Sequence, residues 1–195
     1  MIAAREQERY FTPEEYFAWE EQQLERHELI DGRVYAMSGG TQNHSAIKLN
    51  IGSSISAHLR GNKCRVFNSD LKVNILNTRN YTYPDLSVTC DPRDNSSPQY
   101  ITYPCLIVEV LSDSTEAYDR GKKFEKYRRN PNLVDYVLVS SEEMAIDIYH
   151  RNDAGDWLIL SYRSGDRVEL KSIGLSLAIE QFYEEIIFNR LPDAV

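Results

Sequence analysis

The chain reads as a mixed α/β domain built on one central sheet, and three observations carry that reading. Apolar residues recur at four-residue steps along Gln42–Leu59 (Ile47, Ile51, Ile55, Leu59), the stripe of an amphipathic helix that Gly61 ends. Nine short stretches rich in β-branched and aromatic residues fall between polar turns and read as strands. Their order with the helical segments (α, ββ, α, several strands, α, more strands, α) calls for helices packed on a sheet.

The elements follow in order. Thr12-Pro13-Glu14-Glu15 is a helix start, with Thr12 as cap, Pro13 at the first helical position and Glu15 completing a capping box; the helix is expected to reach about Gln23. Asp31-Gly32 lies between His27-Glu28-Leu29-Ile30 and Arg33-Val34-Tyr35-Ala36-Met37 and marks a hairpin, because both turn positions accept positive φ. After the Gln42–Leu59 helix, strands are expected at Cys64–Phe67, Asp70–Leu76, Thr82–Thr89 and Cys105–Leu111, with a polar loop over Asp91–Gln99. A helix covers Ser114–Arg129 and Pro131 stops it. Strands follow at Leu133–Val139, Met144–His150 and Trp157–Arg163, and Leu177–Phe188 reads as a closing amphipathic helix. No repeat, linker or low-complexity tract divides the chain, so residues 1–195 are expected to form a single domain.

Composition narrows the function. The 195 residues are 42% hydrophobic and 27% charged, ordinary for a soluble globular chain. A chain of this size buries roughly 70% of the surface its unfolded form exposes, so it needs no staples. Three cysteines, Cys64, Cys90 and Cys105, are an odd number without CxxC spacing; they suggest neither a disulfide framework nor a zinc site, and a reducing compartment is expected. The N-terminus is charged rather than apolar and no apolar run is long enough to span a bilayer. A cytoplasmic protein without a membrane partner is expected. The net charge of −8 weighs against a nucleic-acid partner unless positive charge is concentrated on one surface. The thirteen tyrosines have no single explanation in the sequence.

Two strand segments carry acids among apolar residues: Tyr83-Pro84-Asp85-Leu86-Ser87-Val88 and Leu106-Ile107-Val108-Glu109-Val110-Leu111. A carboxylate inside a buried strand is costly unless it pairs, protonates or binds a cation. Two such acids suit a hard divalent cation, whereas a single one could equally face solvent or pair with an arginine. Asp119, Lys123 and Tyr127 fall at i, i+4 and i+8 and share a helical face, which could line a site or be one side of a solvated basic helix. Asp70 and Lys72 point the same way on their strand, as site-lining residues or as a cross-strand charge pair. His44, in the first turn of its helix, is a further site-lining candidate or a structural histidine. No Gly-x-Ser-x-Gly, His-Glu-x-x-His or dinucleotide-binding pattern occurs.

Taken together, Glu28-Leu29-Ile30-Asp31-Gly32, Tyr83-Pro84-Asp85-Leu86, Val108-Glu109-Val110-Leu111-Ser112 and Asp119-Arg120-Gly121-Lys122-Lys123-Phe124-Glu125-Lys126-Tyr127 resemble the Uma family of restriction-type endonucleases, in the PD-(D/E)XK nuclease superfamily. The resemblance runs in order from about Phe11 to Phe188. It implies a restriction endonuclease-like fold, a central mixed β-sheet flanked by helices. It also implies a Mg2+- or Mn2+-dependent endonuclease acting on DNA, with restriction-type homodimers as a precedent for assembly. Asp85 matches the aspartate of the Pro-Asp element and Glu109 the acid of the (D/E)-x-K element, with Glu28 as an auxiliary metal ligand. Leu111 stands where that element carries its lysine, on the same strand face as Glu109, and Lys123 on the following helix matches the family's replacement lysine. Arg120, Lys122 and Lys126 would then receive the phosphate backbone. Two other outcomes stay open: a nuclease fold that binds without cutting, and a structural protein whose strand acids are paired internally.

Overall fold

The computed structural model describes residues 10–37, 39–76 and 79–188. Helix α1 (Pro13–Glu20) opens on the expected capping box, in which Thr12 and Glu15 each bond the other's backbone N–H. It stops short of Gln23. Strands β1 (His27–Ile30) and β2 (Arg33–Ala36) form the expected hairpin, Ile30 opposite Arg33. Its two turn residues, Asp31 (φ 51°) and Gly32 (φ 85°), both lie in the left-handed region, as a tight hairpin turn requires. Helix α2 spans Gln42–Leu59, the residues its apolar stripe predicts, with Thr41 as N-cap.

The single central sheet expected from the sequence is divided. The long strands form a six-stranded mixed sheet from β3 (Arg65–Asn68), β6 (Leu86–Thr89), β8 (Pro104–Leu111), β9 (Asp135–Ser140), β10 (Ala145–Arg151) and β11 (Trp157–Arg163), in the order β11-β10-β9-β8-β6-β3. The β8–β9 pair is parallel and its neighbours are antiparallel. The hairpin β1–β2 joins β4 (Lys72–Asn74), β5 (Tyr81–Thr82) and β7 (Tyr100–Ile101) in a separate five-stranded sheet. The stretch expected as one strand over Thr82–Thr89 is therefore broken between β5 and β6, at Tyr83-Pro84-Asp85. Proline lacks the N–H that a continuous ladder would need there. The Asp70–Leu76 strand shrinks to β4, with Asp70 in the turn before it.

Strand alternation sorts β8 cleanly. Leu106, Val108 and Val110 pack with Ile47, Ile51, Ile55 and Leu59 of α2 and with Val137, Val139, Ile146 and Ile148 of the neighbouring strands. Ile107 and Leu111 face the other way, against Phe124, Tyr127, Leu133, Tyr136 and Leu138. Glu109 shares the face of Ile107 and Leu111. Leu111 is buried in that second core, so this position is occupied by packing.

The Ser114–Arg129 helix is present but irregular. It consists of α3 (Glu116–Tyr118), a five-residue π-helical turn (Asp119–Lys123) and α4 (Phe124–Tyr127). A π turn is rare and accommodates an extra residue per turn, which re-aims the side chains around it. Tyr136 on β9 holds this turn, its buried hydroxyl donating to the Asp119 carbonyl at 2.9 Å. Tyrosines have this role elsewhere: Tyr16 donates to the His27 carbonyl at 2.5 Å, and Tyr183 to the Ala145 carbonyl at 2.8 Å. Each buries a ring and satisfies a backbone acceptor with the same side chain. The expected closing helix at Leu177–Phe188 does not form. Strands β12 (Arg167–Leu170) and β13 (Leu175–Ala178) make a ribbon, followed by one 3-10 turn at Ile179–Gln181. Ile179, Phe182 and Tyr183 join the α2 core from that turn and the chain after it, so the apolar pattern was real but its period was misread.

The cysteine expectation is also corrected. Cys64 and Cys90 form a disulfide. They sit one position beyond the Arg65–Thr89 pair of the antiparallel β3–β6 ladder, directly across from each other, a proximity their separation in sequence hides.

Ile51 is 1% exposed at the centre of the α2–sheet contact. Ile51→Ala should cost about 3 kcal/mol. Chemical denaturation would read this as a lower midpoint at unchanged slope.

Candidate active site

Asp85 sits in the break between β5 and β6, just before Leu86. Because Leu86 pairs with Val108, Asp85 lies beside Glu109 on the neighbouring strand. Its Oδ2 accepts the Val110 N–H at 2.8 Å, which ties the carboxylate to β8 next to Glu109. The same oxygen lies 3.1 Å from His44 Nε2, and Oδ1 lies 3.6 Å from Lys48 Nζ. His44 and Lys48 are one turn apart on α2, flanking its apolar stripe. Burial pushes the Asp85 carboxyl up, but His44, the Val110 N–H and Lys48 outweigh it and hold the group below its ordinary value.

Glu109 is 4% exposed. Lys123 reaches it from the π turn, Nζ to Oε1 2.8 Å, and lies 3.4 Å from Asp119 and 3.6 Å from Glu28. Glu28 comes from β1, where its Oε1 also accepts the Tyr83 N–H at 3.0 Å. Three carboxylates thus surround one buried ammonium. Burial alone would lower the lysine's pKa, but Glu109, Glu28 and Asp119 raise it well above its ordinary value. Burial raises Glu109 well above its ordinary value, and the neighbouring Asp119 and Asp85 add to this against the pull of Lys123. Asp119 is raised as well, chiefly by burial. One cation cannot neutralise three acids, so the lysine stays charged while Glu109 and Asp119 hold protons more tightly than usual.

Glu28, Asp85, Glu109, Asp119 and Lys123 all line one cavity of about 1330 Å³. His44, Tyr35 and Tyr118 line it as well, and Lys122, Lys126 and Arg129 contribute positive charge. The acids Asp31, Asp113, Glu125 and Glu142 line the same cavity, so its charge is mixed rather than a uniform basic patch.

Most of the residues singled out in the sequence converge here, with four differences. Tyr127 is 1% exposed and lies beneath the cavity, its hydroxyl 2.5 Å from Thr82 Oγ1. Arg120 turns away to Glu116 (2.7 Å) and Asp147 (2.8 Å) and does not line the cavity. Asp70 is an exposed partner of Arg26, an ion pair between the turn before β4 and the residue just before β1, not across a ladder. Lys72 sits over the rings of Phe17 and Tyr83, at 5.2 and 5.1 Å from their centroids, outside the cavity. The shortened strand explains Asp70, which precedes β4 and escapes strand alternation, whereas Lys72 is drawn to the rings packed beside β4. Lys48 escaped the sequence reading. Its only signal was the four-residue step from His44.

The donor set suits a hard divalent cation. All four acids offer oxygen, and the buried Glu109 Oε1 has no hydrogen bond with favourable geometry, only the Lys123 ion pair. Among the described residues, no group of three or more His, Cys, Asp or Glu side chains is already placed to hold a metal ion. Asp85, at the break before β6, and Glu109, beside it on β8, are the acids that could hold one.

Known proteins resemble this chain in sequence and in fold. Residues 13–180 match the model of the Uma2 family, described as "Putative restriction endonuclease". Two relatives come from Synechocystis sp. (strain ATCC 27184 / PCC 6803 / Kazusa). "Uncharacterized protein slr1290" is 60% identical over 177 residues, covering 91% of this chain and 93% of its own length. "Uncharacterized protein sll1609" is 30% identical over 162 residues, covering 82% and 91%. A crystal structure from Anabaena variabilis ATCC 29413, titled as "a putative nuclease belonging to DUF820", superposes with a TM-score of 0.75 over 91% of this chain and 99% of its own, at 18% identity. That likeness shows that the two chains share one α/β fold. With its family model matched across most of its length, the chain belongs to the Uma2 family.

Proposed function

We propose that the chain is a metal-dependent endonuclease that hydrolyses DNA phosphodiester bonds, with Asp85 and Glu109 as metal ligands, Glu28 as an auxiliary acid and Lys123 as the catalytic cation. One observation carries the reading. Asp85, at the break before β6, and Glu109, on the neighbouring β8, meet in one cavity with a buried lysine 2.8 Å from Glu109. A divalent ion, Mg2+ or Mn2+, supplies Lewis acidity at the phosphate and lowers the pKa of bound water.

The chain's own residues do the rest. Asp85 is kept ionised by its surroundings and presents a ready anionic ligand. Glu109, raised by burial, would hold the cation in its carboxylate form. Lys123 is held charged and would stabilise the negative charge that develops on the phosphoryl oxygens. Lys126, bridged to Asp31 at 2.6 Å, together with Lys122 and Arg129, meets the backbone at the cavity's edge. The working unit is read as a homodimer, the arrangement in which two clefts could address the two strands of a duplex.

No helix among the described residues is long and apolar enough to cross a membrane. We read the site of action as the cytoplasm, a placement against which the Cys64–Cys90 disulfide stands.

One specific observation favours a non-cutting nucleic-acid binder. Each central acid already faces a lysine, Lys123 at 2.8 Å from Glu109 and Lys48 at 3.6 Å from Asp85, and His44 also stands against Asp85. Enzyme and binder separate on metal-dependent cleavage of plasmid DNA. The enzyme should nick or linearise the plasmid with Mg2+ or Mn2+, and Asp85→Ala and Glu109→Ala should each lower the rate by about 10²-fold or more. Unchanged cleavage in both variants would refute the assignment.

Lys123→Met leaves the buried Glu109 and Asp119 and the half-buried Glu28 without their cation. The expected loss is about 3 kcal/mol near neutral pH. The raised acids disfavour the folded state when ionised, so the deficit should shrink as pH falls from 8 toward 5 and they take up protons. Thermal melts across that range check the sign; a deficit that grew on acidification would contradict it.

A further inference from the structure

The three cysteines, unconnected to the proposed active site, meet at one point of the sheet. In the order β8-β6-β3, strand β6 is central, and each cysteine belongs to a different one of the three strands. Cys64 immediately precedes β3, Cys90 immediately follows β6, and Cys105 lies within β8. Cys64 and Cys90 are bonded, while Cys105 is a free thiol whose Sγ lies 3.7 Å from Cys90 Sγ.

A local irregularity brings the third sulfur there. Along the β6–β8 ladder Val88 pairs with Leu106 but Thr89 pairs with Pro104. Cys105 is the extra residue of this bulge, without an opposing partner. Bulges bend a strand and re-aim the side chain they carry. Here the thiol points at β6, 3.4 Å from the Val88 carbonyl and next to the disulfide. The Cys105 carbonyl accepts the Val134 N–H at 2.9 Å, which fixes the residue from the other side. Cys90 is exposed, while Cys64 and Cys105 are half-buried.

We propose that Cys64, Cys90 and Cys105 form a thiol–disulfide exchange site, with Cys90 as the shared sulfur and Cys105 as the attacking thiol. Cys105 gives its proton to solvent, and its thiolate attacks Cys90 Sγ. The Cys90–Cys105 bond forms as the Cys64–Cys90 bond breaks. The departing electron pair stays on Cys64 Sγ, which takes up a proton. One thiol and one disulfide enter and one of each leaves, so no oxidant or reductant is consumed. The crosslink moves from the outer pair, β3 and β6, to the inner pair, β6 and β8. The inner pair is the one that presents Asp85 and Glu109 at its other end. Burial raises the Cys105 thiol to about 11, so little thiolate is present near neutrality and the exchange is slow.

Differential alkylation of the full-length oxidised protein tests this. Free thiols are blocked with one label at zero time, or after hours of incubation at pH 8. The chain is then unfolded, reduced and treated with a second label, and each cysteine is read by peptide mass. Cys105 should carry the first label at zero time. Longer incubation before blocking should move that label from Cys105 toward Cys64, with Cys90 protected throughout. In a buffer holding a small-molecule disulfide as oxidant, Cys64→Ser should form Cys90–Cys105, and Cys105→Ser should retain Cys64–Cys90. The site is refuted if first label never reaches Cys64 in the wild type, or if Cys90 takes it at zero time. A folded Cys64→Ser protein in which Cys90 and Cys105 both stay free also refutes it. Circular dichroism establishes whether that variant folds; if it does not, the wild-type time course decides.

Discussion

The candidate site depends on a buried lysine. Lys123 stands among Glu28, Glu109 and Asp119, and without its charge three carboxylates would be held in a largely dehydrated cleft. Each acid comes from a different part of the fold, β1, β8 and the π turn, so the lysine electrostatically joins the five-stranded sheet, the six-stranded sheet and the helical segment. Hydrophobic packing places these elements within reach. The ammonium makes their meeting tolerable.

Such a cluster is poorly optimised for stability. Three acids and one cation leave net negative charge where water is scarce, and similar volumes of apolar side chain would pack at lower cost. Beyond the cluster, Asp85 is treated differently, bonded by the Val110 N–H and faced by His44 and Lys48. Two neighbouring carboxylates are therefore driven in opposite directions, one toward ionisation and one toward protonation, which is characteristic of sites that must take up a cation or move a proton.

Regular elements were legible in the sequence where one physical period dominated. The α2 stripe, the Asp31-Gly32 turn and the Thr12–Glu15 box each follow from local sterics or hydrogen bonding, and each is present where expected. The convergence of Asp85, Glu109 and Lys123 was suggested by two acids set in apolar strands and by the family resemblance. The π turn was not visible, because nothing in Asp119-Arg120-Gly121-Lys122-Lys123 distinguishes it from an α-helical turn. The C-terminal ribbon was missed because Leu175, Leu177, Ile179 and Phe182 suit either period. The Cys64–Cys90 bond depends on strand register between distant segments, and Lys72 and Arg120 found partners set by tertiary contacts rather than by spacing.

The central claim is that Asp85 and Glu109 share one divalent ion despite the protein cations that face them. Anomalous diffraction from crystals soaked in Mn2+ tests this most directly. The account predicts a manganese peak between the two carboxylates, with Lys123 drawn away from Glu109 and its ammonium turned toward the open cavity. Well-diffracting soaked crystals with no peak there, and with Lys123 still against Glu109, would contradict it.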